Sequence, residues 1–387
     1  MSRSKDIAEI LGLTEAENTT NASLGDGSGG GSGVTAYSYD SSGGLLLAST
    51  ADHTDGSLHW LGATNELYIW DSDASKYYLL ENTKDTALGE TLFTMGASSY
   101  AYLSGNGLPY SDTNSKNTEK YSFASSSNGS YVGTLNKKRS YSSGLSSTTT
   151  AYIVGGYIQP SANLNVEKFP FASEGNATNV SDMSNTNAGQ RSASMHTHTA
   201  GYVAGYSPPD SADIYKYTYA SESDAVETNG LDGAVGRTTG ASSADAGYIM
   251  GGTPSPNGGT KIQKFSFSSG AVSTSGQLLA EKYGASGTSS STHAYNAGGH
   301  PGDKNVIEKF PFSSDGNSSD VGDLTTGRTP ENSCGAQSSG HGYTSGGYVY
   351  PAPFSNKIDR FSFSSDGNAT EVGYLTRGWR YHANTFN

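Results

Sequence analysis

The side chains best suited to redox or metal chemistry in this 387-residue chain are its histidines and its single cysteine, Cys334. Copper centres use imidazole ligands, and a tyrosine modified by a cysteine can complete them. Five of the eight histidines stand either far apart or side by side, at His196, His198, His293, His341 and His382. Because their spacing matches no metal-ligand motif, we expect no metal, no cofactor and no catalytic activity. Cys334 stands among small residues and is best explained as a small core residue without an intrachain disulfide.

A second candidate for metal chemistry is a short acidic stretch near residue 73. Asp71, Asp73 and Ser75 imitate the start of a calcium-binding loop. That loop also needs glycine at its sixth position and an acidic residue at its twelfth, and both are missing here. The stretch is therefore predicted to be a turn between two strands.

Arginines and aromatic residues offer a third chemistry, which is recognition. Segments that contain proline carry the aromatic side chains of Tyr157, Tyr206, Tyr348, Tyr350 and Phe354. Basic residues recur shortly before segments of small residues, at Arg139, Arg191, Arg237, Lys282, Arg328 and Arg380. A tyrosine beside an arginine can hold a sugar or a protein surface. Whether these residues meet depends on the elements that carry them.

Those elements repeat along the chain. Residues 306–324 read VIEKFPFSSDGNSSDVGDL, residues 357–375 read KIDRFSFSSDGNATEVGYL, and four looser copies precede them. A tyrosine that opens a short apolar run stands before each copy, at Tyr102, Tyr152, Tyr202, Tyr248, Tyr295 and Tyr343. These tyrosines are 46 to 50 residues apart. A period of about 40 to 50 residues with strand-like content is typical of propeller blades, so we predict a six-bladed β-propeller.

Each repeat resolves into four short strands, as residues 237–279 illustrate. TTGASSAD is the innermost strand, followed by GYIMGG, KIQKFSF and AVSTSGQL. The innermost segments consist mostly of Gly, Ala, Ser and Thr, which lets strands converge on an axis. The third strand carries Phe-x-Phe, and we predict that Phe265 and Phe310 are buried between blades. Pro170 and Pro311 lack the donor that strand pairing needs, so we expect them at a strand end or a bulge.

Two segments compete for the innermost strand of the first blade. This strand could be formed by TLFTMGASS at residues 91–99 or by RYHANTFN at residues 380–387. The sequence leaves open which of them closes the ring.

Strand direction predicts which loops share a face. If strands alternate in direction, the loops from second to third strands and from fourth to first strands lie on one face. The aromatic set and Arg139, Arg191, Arg237 and Arg328 then form a candidate binding face. In the alternative interpretation, the arginines bind loop carbonyls between blades and the aromatic residues cover the rim.

The N-terminal region has a different composition. Residues 4–11 predict a short helix with Ile7, Ile10 and Leu11 on one face, and residues 20–33 form a Gly/Ser linker. A helix of that length needs a surface to dock on, so residues 1–33 are a candidate anchor. We expect a small antiparallel β module at residues 34–87, built around SLHWL, NELYIW and KYYLL, and the propeller at residues 88–387.

Charge narrows the range of partners. The formal net charge is −13 and the basic residues form no stripe, which argues against nucleic acid and anionic membranes. No segment has the apolar core of a signal peptide or a membrane span, so we expect the chain to fold in a cytoplasm.

The repeats resemble those of kelch and galactose-oxidase-type propellers, because Gly-Gly follows YIM and arginine precedes the inner strands, although the usual outer tryptophan is absent. KFPFSSDGNSSDVGDLTTGR is similar to kelch-like repeat proteins of tailed bacteriophages, especially marine cyanophages. MSRSKDIAEILG and LHWLGATNELYIWDSDASKYYLL likewise resemble phage virion structural proteins.

This resemblance implies a non-enzymatic virion structural protein that displays its propeller on a tail, fibre, appendage or capsid. Its implied partners are other virion proteins, reached through the N-terminal region, further copies of the same chain, and a host-surface glycan or protein. One alternative is a dedicated receptor-binding protein of a tail fibre. The other is a galactose-oxidase-like enzyme.

Overall fold

A computed structural model describes residues 99–386 with gaps at 106–115, 126, 159–160, 186–188, 255–258, 303, 331–334 and 350–353, and describes six strands before residue 81. The chain divides into two compact units, Met1–Gly89 and Glu90–Asn387. Within these described residues the regular structure is β-strand throughout, with no α-helix. The predicted helix with Ile7, Ile10 and Leu11, and the Gly/Ser linker, lie outside the described residues.

The first unit contains one antiparallel sheet in the order β2-β3-β6-β5-β4, and β1 also pairs with β6. Its strands are β1 (Thr14–Glu15), β2 (Tyr37–Tyr39), β3 (Leu45–Leu47), β4 (Leu58–Leu61), β5 (Glu66–Asp71) and β6 (Lys76–Leu80). The predicted meander is confirmed as β4, β5 and β6. Asp71 pairs with Lys76 at a hairpin end, so the acidic stretch turns between strands as predicted.

The second unit is a six-bladed β-propeller of four-stranded antiparallel sheets. Blade 1 contains β7 (Tyr100–Ser104), β8 (Asn117–Ser122) and β9 (Ser130–Thr134). Blade 2 contains β10 (Ser143–Ser146), β11 (Thr150–Val154), β14 (Asn165–Pro170) and β15 (Thr178–Asp182), with a small hairpin of β12 (Tyr157–Ile158) and β13 (Ser161–Ala162). Blade 3 contains β16 (Ala193–His196), β17 (Ala200–Ala204), β18 (Ser211–Thr218) and β19 (Val226–Val235).

The remaining blades follow the same plan. Blade 4 contains β20 (Thr239–Ser242), β21 (Ala246–Met250), β22 (Lys261–Ser266) and β23 (Val272–Gln277). Blade 5 contains β24 (Ser286–Ser289), β25 (His293–Ala297), β26 (Val306–Pro311) and β27 (Ser319–Asp323). Blade 6 contains β28 (Ala336–Gln337), β29 (His341–Ser345), β30 (Lys357–Ser362) and β31 (Thr370–Tyr374). Pro170 and Pro311 are the last residues of their strands, where proline disturbs the pairing least.

The C-terminal segment closes the ring. Strand β32 (Ala383–Phe386) pairs antiparallel with β7, which makes it the innermost strand of blade 1. Of the two segments that the sequence left open, the structure therefore selects the C-terminal one. Blade 1 thus combines the two ends of the propeller unit in one sheet.

One aromatic contact is repeated at all six blade junctions. The tyrosine of each second strand packs on the Phe-x-Phe pair, or its Tyr equivalent, of the next blade. Ring centroids are 4.5 to 5.2 Å apart in the pairs Tyr102–Phe171, Tyr152–Tyr219, Tyr202–Phe267, Tyr248–Phe312, Tyr295–Phe363 and Tyr343–Phe123. The last pair joins blade 6 to blade 1, so the aromatic ring is complete. Phe265 and Phe310 are each 1% exposed, which confirms their predicted burial.

The repeated phrase with Asp-Gly-Asn forms a polar latch between neighbouring blades. Asn317 of blade 5 accepts the backbone N–H of Gln277 in blade 4 at 3.0 Å, and Asn368 of blade 6 accepts that of Asp323 in blade 5. Acidic residues of the same turn bind the third-strand lysine of the preceding blade, in the pairs Lys120–Glu174, Lys168–Glu222, Lys264–Asp315 and Lys309–Asp366. The phrase recurs because successive blades dock through the same side chains.

Contacts between neighbouring innermost strands explain why these strands consist mostly of small and polar residues. Each has an edge that no strand of its blade covers, so its backbone N–H groups need acceptors. Side chains of the following blade supply them, because His196 N–H donates to Ser242 Oγ, Ser242 N–H to Ser289 Oγ, and Ser289 N–H to Gln337 Oε1. A Cβ at Gly240 would lie 2.0 Å from the Ser194 carbonyl oxygen, so the blades also need glycine at the closest approach.

Candidate ligand-binding face

The loops from second to third strands and from fourth to first strands share one face, because every strand pair within a blade is antiparallel. Isolated backbone bridges join the two loop types directly, at Ser140–Tyr157, Gly236–Thr253, Tyr283–His300 and Thr329–Tyr348. We call this surface the loop face. It carries the candidate residues that sequence analysis selected.

Arg139 and Arg328 do not belong to the accessible part of this face, which corrects the prediction for these two residues. Both side chains are buried, and Arg328 forms an ion pair with Asp359 at 3.0 Å. Arg139 pairs with Glu167 and also donates to the backbone carbonyls of Ile153, Gly155 and Asn165. For these two arginines, the structure supports the alternative interpretation that they bind carbonyls near the loops.

In each blade whose third strand carries a buried acid, the preceding loop supplies a donor to it. Lys282 forms the equivalent pair with Glu308 at 2.6 Å, and in blade 1 Trp379 Nε1 donates to Glu119 Oε1 at 3.0 Å. Where the loop carries Gly189 or Val235 instead, the third strand carries Tyr215 or Gln263 in place of the acid. A buried charge without a partner costs several kcal/mol, which explains why a cation or the Trp379 indole stands in the loop wherever the third strand carries an acid.

A second set of residues stands two positions further along the same loops and forms a ring around the axis. Each lies two residues before an innermost strand and has a left-handed backbone: Tyr381 (φ 59°), Tyr141 (φ 59°), Arg191 (φ 53°), Arg237 (φ 54°) and Gly284 (φ 63°). Backbone hydrogen bonds connect neighbours, because Tyr141 N–H donates to the Tyr381 carbonyl and Arg191 N–H to the Tyr141 carbonyl. Gly284 N–H donates to the Arg237 carbonyl in the same way. We call these five residues the axial ring.

Three residues of the axial ring form a four-layer stack together with Arg380. The guanidinium of Arg380 lies 3.7 Å from the Tyr381 ring centroid, and the rings of Tyr381 and Tyr141 are 3.9 Å apart. The guanidinium of Arg191 lies 3.9 Å from the Tyr141 ring on the other side. The two tyrosines are buried, whereas both arginines are partly exposed. The stack therefore presents a positive charge at each end.

Further aromatic groups extend this cationic surface. Arg380 also lies over the rings of Tyr348 and Phe354, at 4.8 and 5.3 Å. Arg237 lies 5.2 Å from the ring of Tyr283, whose ring in turn contacts that of His300 at 5.0 Å. Of the predicted face residues, the structure thus brings Tyr348 and Phe354 together under one arginine.

The other predicted aromatic residues have different environments. Tyr206 is buried, and its hydroxyl donates to Asp213 Oδ2 and accepts from Asn185 Nδ2, each at 3.0 Å. Burial raises the pKa of Tyr206. Tyr157 is partly buried in the small hairpin of blade 2. Tyr350 lies outside the described residues.

A cavity lies between the innermost strands. Its lining includes His196, Ser242, Ser289, Gln337 and Phe386. His196 is fully enclosed, and burial, followed by the nearby His198, lowers its pKa to about 3. The cavity is therefore lined by a neutral imidazole, hydroxyls and an amide.

The histidines with candidate metal chemistry occupy separate sites. His196 packs on the ring of Phe386, His382 on that of Trp379, and His293 on that of Tyr295. Within the described ranges, no three His, Cys, Asp or Glu side chains form a group that could hold a metal ion, and no helix has the length and hydropathy of a membrane span. Cys334 lies outside those ranges.

The fold and this surface define a six-bladed β-propeller with a cationic, aromatic loop face. No protein-family model matches the chain, and no curated protein matches it either.

Proposed function

We propose that this chain is a non-enzymatic structural component of a tailed-bacteriophage particle, which displays its propeller on the particle surface and uses the loop face for recognition. The observation that carries the recognition role is the Arg380–Tyr381–Tyr141–Arg191 stack, because it exposes cations beside aromatic rings at one face. The particle assignment is supported by the similarity of the repeated phrase and the N-terminal segments to phage virion proteins.

The division of the chain supports this arrangement. The propeller joins its own two ends through β32 and β7, so the ring closes within the second unit. The first unit is then available for attachment to other virion proteins. Ile7, Ile10 and Leu11 are the proposed contact residues, because a short amphipathic helix gains stability by docking.

The test is incorporation into particles of the phage that encodes the chain. We expect the full-length protein to copurify with intact particles and an antibody against it to label them in electron micrographs. Absence of the protein from purified particles would contradict the proposal.

The attachment site is tested with a triple variant, Ile7→Ser, Ile10→Ser and Leu11→Ser, which leaves the paired strand Thr14–Glu15 intact. Incorporation should fall strongly, because the substitutions remove the apolar face of the predicted helix. A matched variant with Thr19→Ala and Thr20→Ala should be incorporated normally. If the triple variant is incorporated as well as the wild type, attachment lies elsewhere, and the sheet of β2–β6 becomes the next segment to test.

A further inference from the structure

We infer that the axial ring is a binding site for the carboxylate of an acidic sugar, with Arg191 and Arg237 as the cations that hold it. This inference rests on the proposed recognition role and deepens it by naming a ligand class and two specificity-determining residues. Stacking faces for the sugar ring come from Tyr283 and Tyr348, which are partly exposed on the same face.

The backbone of the axial ring gives the first argument. All five residues have φ between 53° and 63°, a conformation that glycine adopts easily and that costs energy for tyrosine or arginine. Gly284 shows that glycine fits this position of the propeller. Four other positions nevertheless carry large side chains. Strain that glycine would relieve is characteristic of positions whose side chains have a function.

The charges of Arg191 and Arg237 give the second argument. The buried cations Arg139, Lys282 and Arg328 each pair with a carboxylate of the adjacent blade. In contrast, neither Arg191 nor Arg237 has an ion-pair partner among the residues that the structure describes. The guanidinium of Arg191 stacks on the ring of Tyr141, and that of Arg237 lies over the ring of Tyr283. A guanidinium stacked by its face keeps the N–H donors along its edge for a bidentate contact with a carboxylate.

Arginine side chains gather on the loop face. The chain as a whole has a formal charge of −13, yet two partly exposed arginines, Arg191 and Arg237, stand in the axial ring. Arg380 adds a third positive charge at the other end of the stack. Tyrosine faces suit the C–H faces of a sugar ring, while arginine suits its carboxylate, and together these groups fit a uronic or sialic acid better than a neutral sugar.

The binding test uses the full-length protein and short oligosaccharides of galacturonic, glucuronic, mannuronic and sialic acids. Each is compared with its methyl ester, which has the same ring but no charge. We expect at least one acid to bind roughly tenfold or more tightly than its ester, and its affinity to fall as salt increases. Equal affinity for acid and ester, or preference for sulfated oligosaccharides, would overturn the inference.

Two glycine variants separate a binding role from a structural one. Arg191→Gly and Arg237→Gly should weaken binding of the acid by roughly tenfold each, because each removes a charged donor. They should leave the thermal midpoint unchanged or raise it, because glycine suits the left-handed backbone. Arg360→Gln removes an arginine from the third strand of blade 6 and should leave binding unchanged. A lower midpoint with unchanged binding would show that Arg191 and Arg237 only stabilise the ring.

The outcomes also separate this inference from the proposed function. A protein that is present on particles and binds neutral sugars but no acids retains the recognition role and loses the carboxylate site. A protein that is present on particles and binds no sugar in the panel retains the structural role alone. Binding of acids by a protein that is absent from particles would leave the site intact and contradict the particle assignment.

Discussion

At the scale of single residues, the buried histidines make the propeller sensitive to acid. Burial lowers the pKa of both His196 and His382 to about 3, whereas histidine in an unfolded chain has a pKa near 6.5. Between these values the unfolded chain binds a proton at each histidine and the folded chain does not. Stability is therefore lost as the pH falls through this window, by about 1.4 kcal/mol per pH unit for each histidine.

This dependence is measured by urea unfolding at several pH values from 7 to 4. His382→Gln removes one of the two groups, and the decline of its unfolding free energy between pH 6 and 4 should be shallower than that of the wild type by about 1.4 kcal/mol per pH unit. The comparison of slopes cancels any loss of stability that the substitution causes at neutral pH. Parallel slopes for variant and wild type would mean that His382 is protonated in the folded protein.

The four arginines of the predicted binding face show which part of the site the sequence did not predict. The sequence grouped Arg139, Arg191, Arg237 and Arg328 because each precedes an innermost strand. The structure separates them by a shift of two residues, which places Arg139 and Arg328 inside and Arg191 and Arg237 on the axial ring. The signal that distinguishes these four arginines is present in the repeats. Arg139 and Arg328 are followed by an acid in the next third strand, Glu167 or Asp359, whereas Arg191 and Arg237 are followed by Tyr215 and Gln263.

At the scale of strands, repetition made the fold predictable. The six-bladed ring, the four strands of each blade and the burial of Phe265 and Phe310 all follow from a pattern that recurs in each repeat. Ring closure could not be predicted, because either residues 91–99 or residues 380–387 could serve as the closing strand, and only the pairing with β7 distinguishes them. The axial ring was also missed, since a left-handed backbone at Tyr141 or Arg191 has no sequence signal when the residue is not glycine.

The third strand supplies a buried aromatic ring to each blade junction. Phe265 is 1% exposed and its ring lies 5.3 Å from that of Tyr202 in the preceding blade. Truncation by Phe265→Ala should therefore lower the free energy of unfolding by about 3–5 kcal/mol, and the same holds for Phe310→Ala. Denaturant unfolding of the full-length protein measures the loss. The matched control is Val226→Ala, because that side chain is 58% exposed, and a comparable loss in this control would show that burial is not the cause.

The turn between third and fourth strands makes a smaller, polar contribution to the free energy of unfolding. Asn317→Ala leaves the backbone N–H of Gln277 without its acceptor at 3.0 Å, so we expect a loss of about 1 kcal/mol. The corresponding turn of blade 4 carries Ser268, Ser269 and Gly270 and has no such asparagine, which makes Ser268→Ala a suitable control with little expected effect. Equal unfolding free energies for Asn317→Ala and the wild type would show that water replaces the latch at no cost.

At the scale of the whole molecule, the same aromatic contact joins all six pairs of neighbouring blades, so the ring is closed. The junction between blades 6 and 1 has the Tyr343–Phe123 pair at 4.5 Å, and Thr376 N–H of the same junction donates to Glu119 Oε2 at 3.0 Å. This junction connects residues more than 200 positions apart in the chain, so its formation depends on every blade between them. We expect the propeller to unfold in one cooperative step, because a gap at any blade exposes two aromatic surfaces at once.

The C-terminal strand offers the sharpest test of that closure. Deletion of residues 383–387 removes the innermost strand of blade 1 and leaves the inner edge of β7 unpaired. It also removes Phe386, which is 4% exposed and packs on His196. The free energy of unfolding should therefore fall by at least the roughly 3–5 kcal/mol that removal of a buried phenylalanine costs. The truncated chain should melt at a much lower temperature, and a synthetic peptide of residues 380–387 added in excess should raise the midpoint again. Deletion of residues 2–12 serves as the control, since it leaves the propeller unit intact and should not change the melting of that unit. A truncated chain that melts like the wild type, or that gains nothing from the peptide, would show that the ring holds together without its closing strand.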